Sequence, residues 1–253
     1  MQFQPDTPLA AEILASPNFD ERTAAPDIIL LHYTGMADAE SALARLRDPA
    51  AKVSCHYVVL EDGRILQLVP EDKRAWHAGI ASWEGEGDVN GRSIGIEVVN
   101  RGHDFDYPDF PPVQIEALIA LCRDIAERRR IAPEKVLAHS DVAPLRKVDP
   151  GEKFPWKKLF KAGVGHFVPP VPIGDLGGWK EGDSGDRVEA LQSMLALYGY
   201  GVEITGRFDT TTAAVVRAFQ RHFRPARIDG IADASTVNTL RDLLAALPEP
   251  VAE

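Results

Sequence analysis

Apolar residues in the first two thirds of the chain come in short runs of the kind that form strands. Asp27 to Tyr33 reads DIILLHY, a β-branched and Leu-rich run suited to burial on both faces of a sheet. Val53 to Leu60 and Arg64 to Val69 are two more such runs, separated by Glu61-Asp62-Gly63, whose Asp-Gly pair favours the positive φ angles of a tight hairpin turn. Ser93 to Val99 alternates, with Ile94, Ile96 and Val98 on one face and Gly95, Glu97 and Val99 on the other, so a carboxylate is placed mid-strand. Lys135 to Ala138 leads as a short strand into His139. Between these runs, Asp38 to Arg47 shows a short amphipathic helical pattern. Pro111 to Arg130 shows a long one, with Leu118, Leu121, Cys122 and Ile125 as its stripe. Strands interleaved with helices predict an α/β sheet domain.

The last third has a helical period instead. Val188, Leu191, Leu195 and Tyr198 sit at helical spacing before Gly199, a C-terminal stop signal. Val216, Phe219 and Phe223 mark a second helix, and Leu240, Leu243, Leu244 and Leu247 a third. Ile204-Thr-Gly206-Arg-Phe-Asp209-Thr-Thr-Thr212 recurs as Ile228-Asp-Gly230-Ile-Ala-Asp233-Ala-Ser-Thr236. In each copy Gly makes the turn and Asp is placed to cap the next helix. This predicts a small C-terminal three-helix bundle. Between Val164 and Gly178, prolines and glycines punctuate a stretch with neither period, which reads as a linker. The chain therefore divides into a front domain over 1–163, a linker over 164–178 and a back domain over 179–253.

Composition narrows the function. With 253 residues, 45% of them hydrophobic, the chain is an ordinary globular protein long enough to hold a core without disulfides. The net charge of −10 argues against nucleic acid as a partner, and the basic run Arg128-Arg129-Arg130 reads as a solvated helix terminus. Apolar runs such as Ile28 to Leu31 fall far short of the roughly 20 residues a membrane span needs. Cys55 and Cys122 read as buried free thiols. The N-terminal Met1 to Asp6 has no basic or apolar leader pattern, which favours a cytoplasmic location; a trimmed leader would place the protein in the periplasm or cell envelope.

Among seven histidines, His103, His166 and His222 take the ordinary reading of hydrogen-bonded structural residues. His32 and His139 differ, because both end apolar strands, the edge where α/β folds gather functional groups. Ten residues after His139 comes Asp149. Two imidazoles and a carboxylate make a three-ligand set that on zinc leaves a fourth position open for water. His139-Ser-Asp141 is also an H-x-D element, as in two-His, one-carboxylate iron sites, although His32 precedes it where the distal histidine usually follows.

The segments L-H32-Y-T, S-C-H-Y-V-V, A-W76-H77-A-G, S-I-G-I-E97 and H139-S-D-V-A-P-L-R-K147-V-D149-P-G, in this order, resemble the type 2 N-acetylmuramoyl-L-alanine amidases over about residues 20–162. That family shares its fold with peptidoglycan recognition proteins. The resemblance implies a mixed central sheet flanked by helices, with His32, His139 and Asp149 holding Zn2+ and Glu97 and Lys147 as the catalytic pair. In those roles zinc lowers the pKa of its water to about 7. Glu97 carries that water's proton to the departing amine, and Lys147 faces the oxyanion. Where some relatives place a tyrosine beside the metal, this chain has Cys55, and Glu97 is then the acid/base. His56, His77 and Trp76 read equally as cleft-lining or structural.

The back domain resembles the peptidoglycan-binding type 1 module, through G-D-S-G-D-R-V-x-x-L-Q, T-G-x-F-D-x-x-T, A-F-Q and D-G-I-A-D-x-x-T. The implied substrate is peptidoglycan or a soluble muropeptide, cut between N-acetylmuramic acid and L-alanine. A noncatalytic recognition protein of the same fold is the alternative, and it is expected to lack a ligand or the Glu/Lys pair; all five residues are present. Because the front domain holds every proposed group, it is expected to cleave soluble fragments alone, with the back domain retaining polymer. The competing expectation is that the Leu240 to Leu247 stripe packs on the front domain and stabilises it.

Overall fold

The computed structural model describes residues 3–174 and 177–247; Met1-Gln2, Asp175-Leu176 of the linker and the end of the back domain from Pro248 lie outside the described residues. Among the described residues eight strands form, β1 (Ala10–Ile13), β2 (Phe19–Glu21), β3 (Ile28–Tyr33), β4 (Tyr57–Val59), β5 (Ile65–Gln67), β6 (Lys73–Ala75), β7 (Ser93–Val98) and β8 (Val136–Ala138). Six of them build one sheet in the order β1-β5-β4-β7-β3-β8, and β2 pairs with β6 apart from it. Pairing is parallel except between β4 and β5, so the sheet is mixed. The β4–β5 connection is the tight hairpin turn that Glu61-Asp62-Gly63 predicts. Gly63 alone takes positive φ, its N–H donates to Leu60 O, and Leu60 N–H donates to Arg64 O, which is a turn closed by a glycine bulge.

Alternation along the strands sorts side chains into two cores. Tyr57, Val59, Ile65, Ile94, Ile96 and Val98 join one cluster, under α3 (Pro112–Arg129), while Val58, Leu66, Leu68 and Val99 join another with Leu46 of α1 (Ala39–Arg47). Asp38 caps α1 by accepting from Ser41 N–H. α3 starts on Pro112 at its first turn and ends with Arg130 in the left-handed region. Within it Gln114, fully buried, donates to Val59 O at the end of β4 and to Val99 O just past β7. Its basic end is not simply solvated. Arg128 and Arg129 pair at 2.8 and 2.6 Å with Glu71, whose side chain is wholly buried and also accepts from Tyr57 Oη, because a buried carboxylate requires such partners. Both cysteines are free and buried.

Short helices α2 (Val89–Arg92), α4 (His139–Val142) and α5 (Trp156–Lys161) connect the strands and end the front part. The back bundle is α6 (Asp186–Tyr198), α7 (Thr210–Phe223) and α8 (Ala234–Ala245). Its internal echo has a physical basis. Asp209 and Asp233 each accept from the N–H and hydroxyl of the threonine three residues on. A buried glutamine from the preceding helix clamps each turn: Gln192 Oε1 accepts from Thr205 and Gly206 N–H, and Gln220 Oε1 from Asp229 and Gly230 N–H.

Bundle and front sheet share one apolar cluster. Trp83, 1% exposed, meets Tyr198 and Tyr200 edge-on, and His222 of α7 stacks on Trp156 at 3.7 Å. The contact to the front part thus runs through α7 and the Tyr198–Tyr200 turn. On α8, Thr239 and Ser235 hydrogen-bond Val171 of the linker.

Candidate metal centre

Parallel strands β3 and β8 lie side by side, so the chain leaves both in the same direction. His32 is near the end of β3, and His139 follows β8 directly as the first residue of α4. The loop after α4 then returns Asp149, with Ser140 N–H donating to Asp149 O. His32 Nδ1, His139 Nδ1 and Asp149 Oδ2 lie 2.9, 3.0 and 3.1 Å from one another, and all three residues are buried.

Neighbouring hydrogen bonds assign the tautomers. His139 Nε2 faces Ala78 O at 3.0 Å and so carries the proton there, leaving a lone pair on Nδ1. His32 Nε2 lies 3.1 Å from His77 Nδ1, His77 Nε2 faces Ser93 Oγ at 3.4 Å, and Ser93 Oγ donates to Val89 O. Read from Val89 O backwards, this relay puts a proton on His32 Nε2 and a lone pair on its Nδ1. Two imidazole lone pairs and a carboxylate oxygen therefore converge with no proton among them, and a cation resolves that arrangement. Donor separations near 3 Å are close to the edge of about 3.3 Å of a tetrahedron with zinc–ligand bonds of about 2.0 Å. Burial, reinforced by His139, pushes the His32 pKa down to about 4. Neutral imidazoles beside an ionised carboxylate are the protonation states a metal needs.

Glu97 of β7 is the register partner of His32, which puts the two side chains on one face. Its Oε2 is buried without a partner, and burial, with the negative charge of Asp149 adding to it, drives its pKa well above the carboxylate range. Lys147 forms no salt bridge with the described residues. It joins His32, His77, Glu97, His139 and Asp149 around a cleft of about 420 Å³. The five residues singled out in the sequence thus surround one cavity.

A family model described as N-acetylmuramoyl-L-alanine amidase matches residues 22–152. The chain belongs to the N-acetylmuramoyl-L-alanine amidase family. A second model, described as a putative peptidoglycan binding domain, matches residues 184–240. The amidase AmiD of Escherichia coli (strain K12) is 41% identical over 223 residues, covering 83% of this chain and 79% of that protein. The structure of E. coli AmiD in complex with the substrate anhydro-N-acetylmuramic acid-L-Ala-D-gamma-Glu-L-Lys superposes with a TM-score of 0.74 at 38% identity, over 90% of this chain and 97% of that one. AmpDh3 of Pseudomonas aeruginosa in complex with anhydromuramic pentapeptide gives 0.71 at 31% identity, over 87% and 92%.

Other residues of this amidase-family chain fall into place around the centre. Asp141 is turned away from the three donors; its carboxylate accepts from Ala138 N–H, Tyr200 Oη and His222 Nδ1. Cys55 is fully buried, and burial next to Glu97 pushes its thiol well up, which opposes a thiolate role. His77 lines the cleft and orients His32, while His56 is structural, its Nδ1 accepting from Gly95 N–H. Trp76 donates its indole N–H to Asp20. His103 is bonded to Tyr33 Oη and Glu152 and also borders the cleft; His166 bonds Tyr198 Oη. Arg146 was not singled out by the sequence, yet it ties the cleft's rim by donating to Ala78 O and Ile80 O.

Proposed function

We propose that this chain is a zinc-dependent N-acetylmuramoyl-L-alanine amidase that hydrolyses the amide between the lactyl carbonyl of N-acetylmuramic acid and the L-alanine of a stem peptide. The observation that carries the reading is the proton-free convergence of His32, His139 and Asp149 beside the unpartnered carboxyl oxygen of Glu97, in a cleft open to a ligand. Zinc held by that set supplies Lewis acidity and brings the pKa of water to about 7. The role of Glu97 is to take a proton from the attacking water and give it to the departing amine nitrogen. Its raised pKa suits it to hold that proton between the two steps, and a cation at the ligand set offsets the contribution of Asp149. Lys147, on the cleft wall and without a salt-bridge partner among the described residues, directs its charge at the carbonyl oxygen as it becomes an oxyanion.

Muropeptide complexes of E. coli AmiD and P. aeruginosa AmpDh3 support a peptidoglycan-derived substrate. In this reading residues 1–163 carry the chemistry, 164–178 connect, and the bundle over 179–253 contributes peptidoglycan binding. Metal analysis of the purified protein, with mass-spectrometric detection of stem peptide released from a muropeptide, tests the proposal. One zinc per chain, lost with activity in Asp149→Ala, is the expected result. Undiminished cleavage by the metal-stripped protein, or no stem peptide from the zinc-loaded one, overturns it.

A further inference from the structure

We infer that Tyr200 and His222, although they belong to the back bundle, are positioning residues of the metal centre, acting through Asp141 on His139. The inference rests on the metal reading above and adds to it a part of the chain that carries no ligand. Asp141 is 1% exposed, and three donors satisfy its carboxylate. Ala138 N–H and His222 Nδ1 reach Oδ2 at 2.8 and 2.7 Å, and Tyr200 Oη reaches Oδ1 at 2.9 Å. Two of the three thus come from 59 and 81 residues further along the chain.

What Asp141 holds is the backbone immediately before a proposed ligand. Ala138 N–H is an orphan donor at the start of α4, and fixing it fixes how the chain turns from β8 into His139. α4 has four residues, too few to be stable by itself, so its orientation depends on such outside bonds. The two distant donors are themselves held firmly. Tyr200 is 2% exposed and packs on Trp83 at 5.1 Å, and His222, 3% exposed, lies between Trp156 at 3.7 Å and Phe223 at 3.9 Å. Without them a buried carboxylate loses two of three partners and no longer has reason to stay aligned on Ala138 N–H. An interface that only joined two bodies has no need of a polar chain ending on the peptide next to a ligand.

The full-length chain and its Tyr200→Phe, His222→Ala and His222→Asn variants are compared at a temperature well below unfolding. Zinc affinity is measured by competition with a chromophoric chelator, and the visible spectrum is recorded with cobalt(II) in place of zinc. The expected result is about a 10-fold weaker zinc affinity and an altered cobalt spectrum in Tyr200→Phe and His222→Ala. His222→Asn, whose amide N–H replaces Nδ1–H, is expected close to the parent. Affinity and cobalt spectrum equal to the parent overturn the inference, even if melting temperature falls, since that outcome is simple joining of the domains. If His222→Ala does not fold, Tyr200→Phe, which removes one oxygen, decides. A parent chain that binds no metal overturns the metal reading first, and this inference with it.

Discussion

Gly95→Ala adds one methyl group at a position where the backbone tolerates alanine, because Gly95 is not among the residues with positive φ. The space does not. A Cβ there sits 2.5 Å from His77 Cγ and Nδ1 and 2.6 Å from Cδ2, so the ring has to retreat by about 1 Å to reach ordinary contact. Such a shift takes the 3.1 Å contact from His32 Nε2 to His77 Nδ1 beyond hydrogen-bond range. His32 then loses the partner that fixes its tautomer and ring orientation, a change typically worth about 10–100-fold in metal affinity. Overpacking adds a stability cost of about 1–3 kcal/mol. Zinc competition and urea unfolding measure the two effects separately. The double variant with His77→Ala gives the decisive test: with the ring gone the methyl has room, so the packing costs are non-additive. Unchanged zinc affinity in Gly95→Ala, or strict additivity in the cycle, refutes the argument that His77 sits on Gly95 to orient His32.

Glu97→Gln is expected to retain zinc and lose about 10²–10⁴-fold in turnover, since it removes a proton carrier and no ligand; stem-peptide release at verified metal content checks it. The metal-stripped protein should lose stability on acidification from about pH 6.5, where unfolded histidine begins to take up protons that buried His32, with its pKa near 4, refuses. By pH 5 that residue alone accounts for about 2 kcal/mol, and urea titrations at pH 7 and 5 read the difference; equal stability at both would discard the buried neutral imidazole. Truncation after Gly163 bares Trp83 and removes two donors from Asp141, a combined loss on the order of 5 kcal/mol and comparable to the stability of a whole domain. The front part alone is therefore expected to melt far lower or not to fold, contrary to the independent action its sequence suggests, and a truncated chain with parental melting temperature would restore that picture.

Wherever the controlling physics is local, the sequence was sufficient. Alternation along Ser93 to Val99 placed Glu97 opposite the Ile94, Ile96 and Val98 face, because successive strand residues point to opposite sides. Asp209 and Asp233 were legible as caps, since a cap bonds three residues ahead. His32, His139 and Asp149 stood out by position at strand ends and by a dense motif. β1, β2 and β6 did not, because three- and four-residue strands with partly exposed faces carry no apolar period. The larger gap concerns buried polar groups. Glu71 finds Arg128 and Arg129 57 and 58 residues on, His77 finds His32 45 residues back, and Asp141 finds Tyr200 and His222 across the domain boundary. Hydrophobic periodicity records which face of an element is buried, but not which distant donor meets a buried acceptor, and only the tertiary structure decides that pairing.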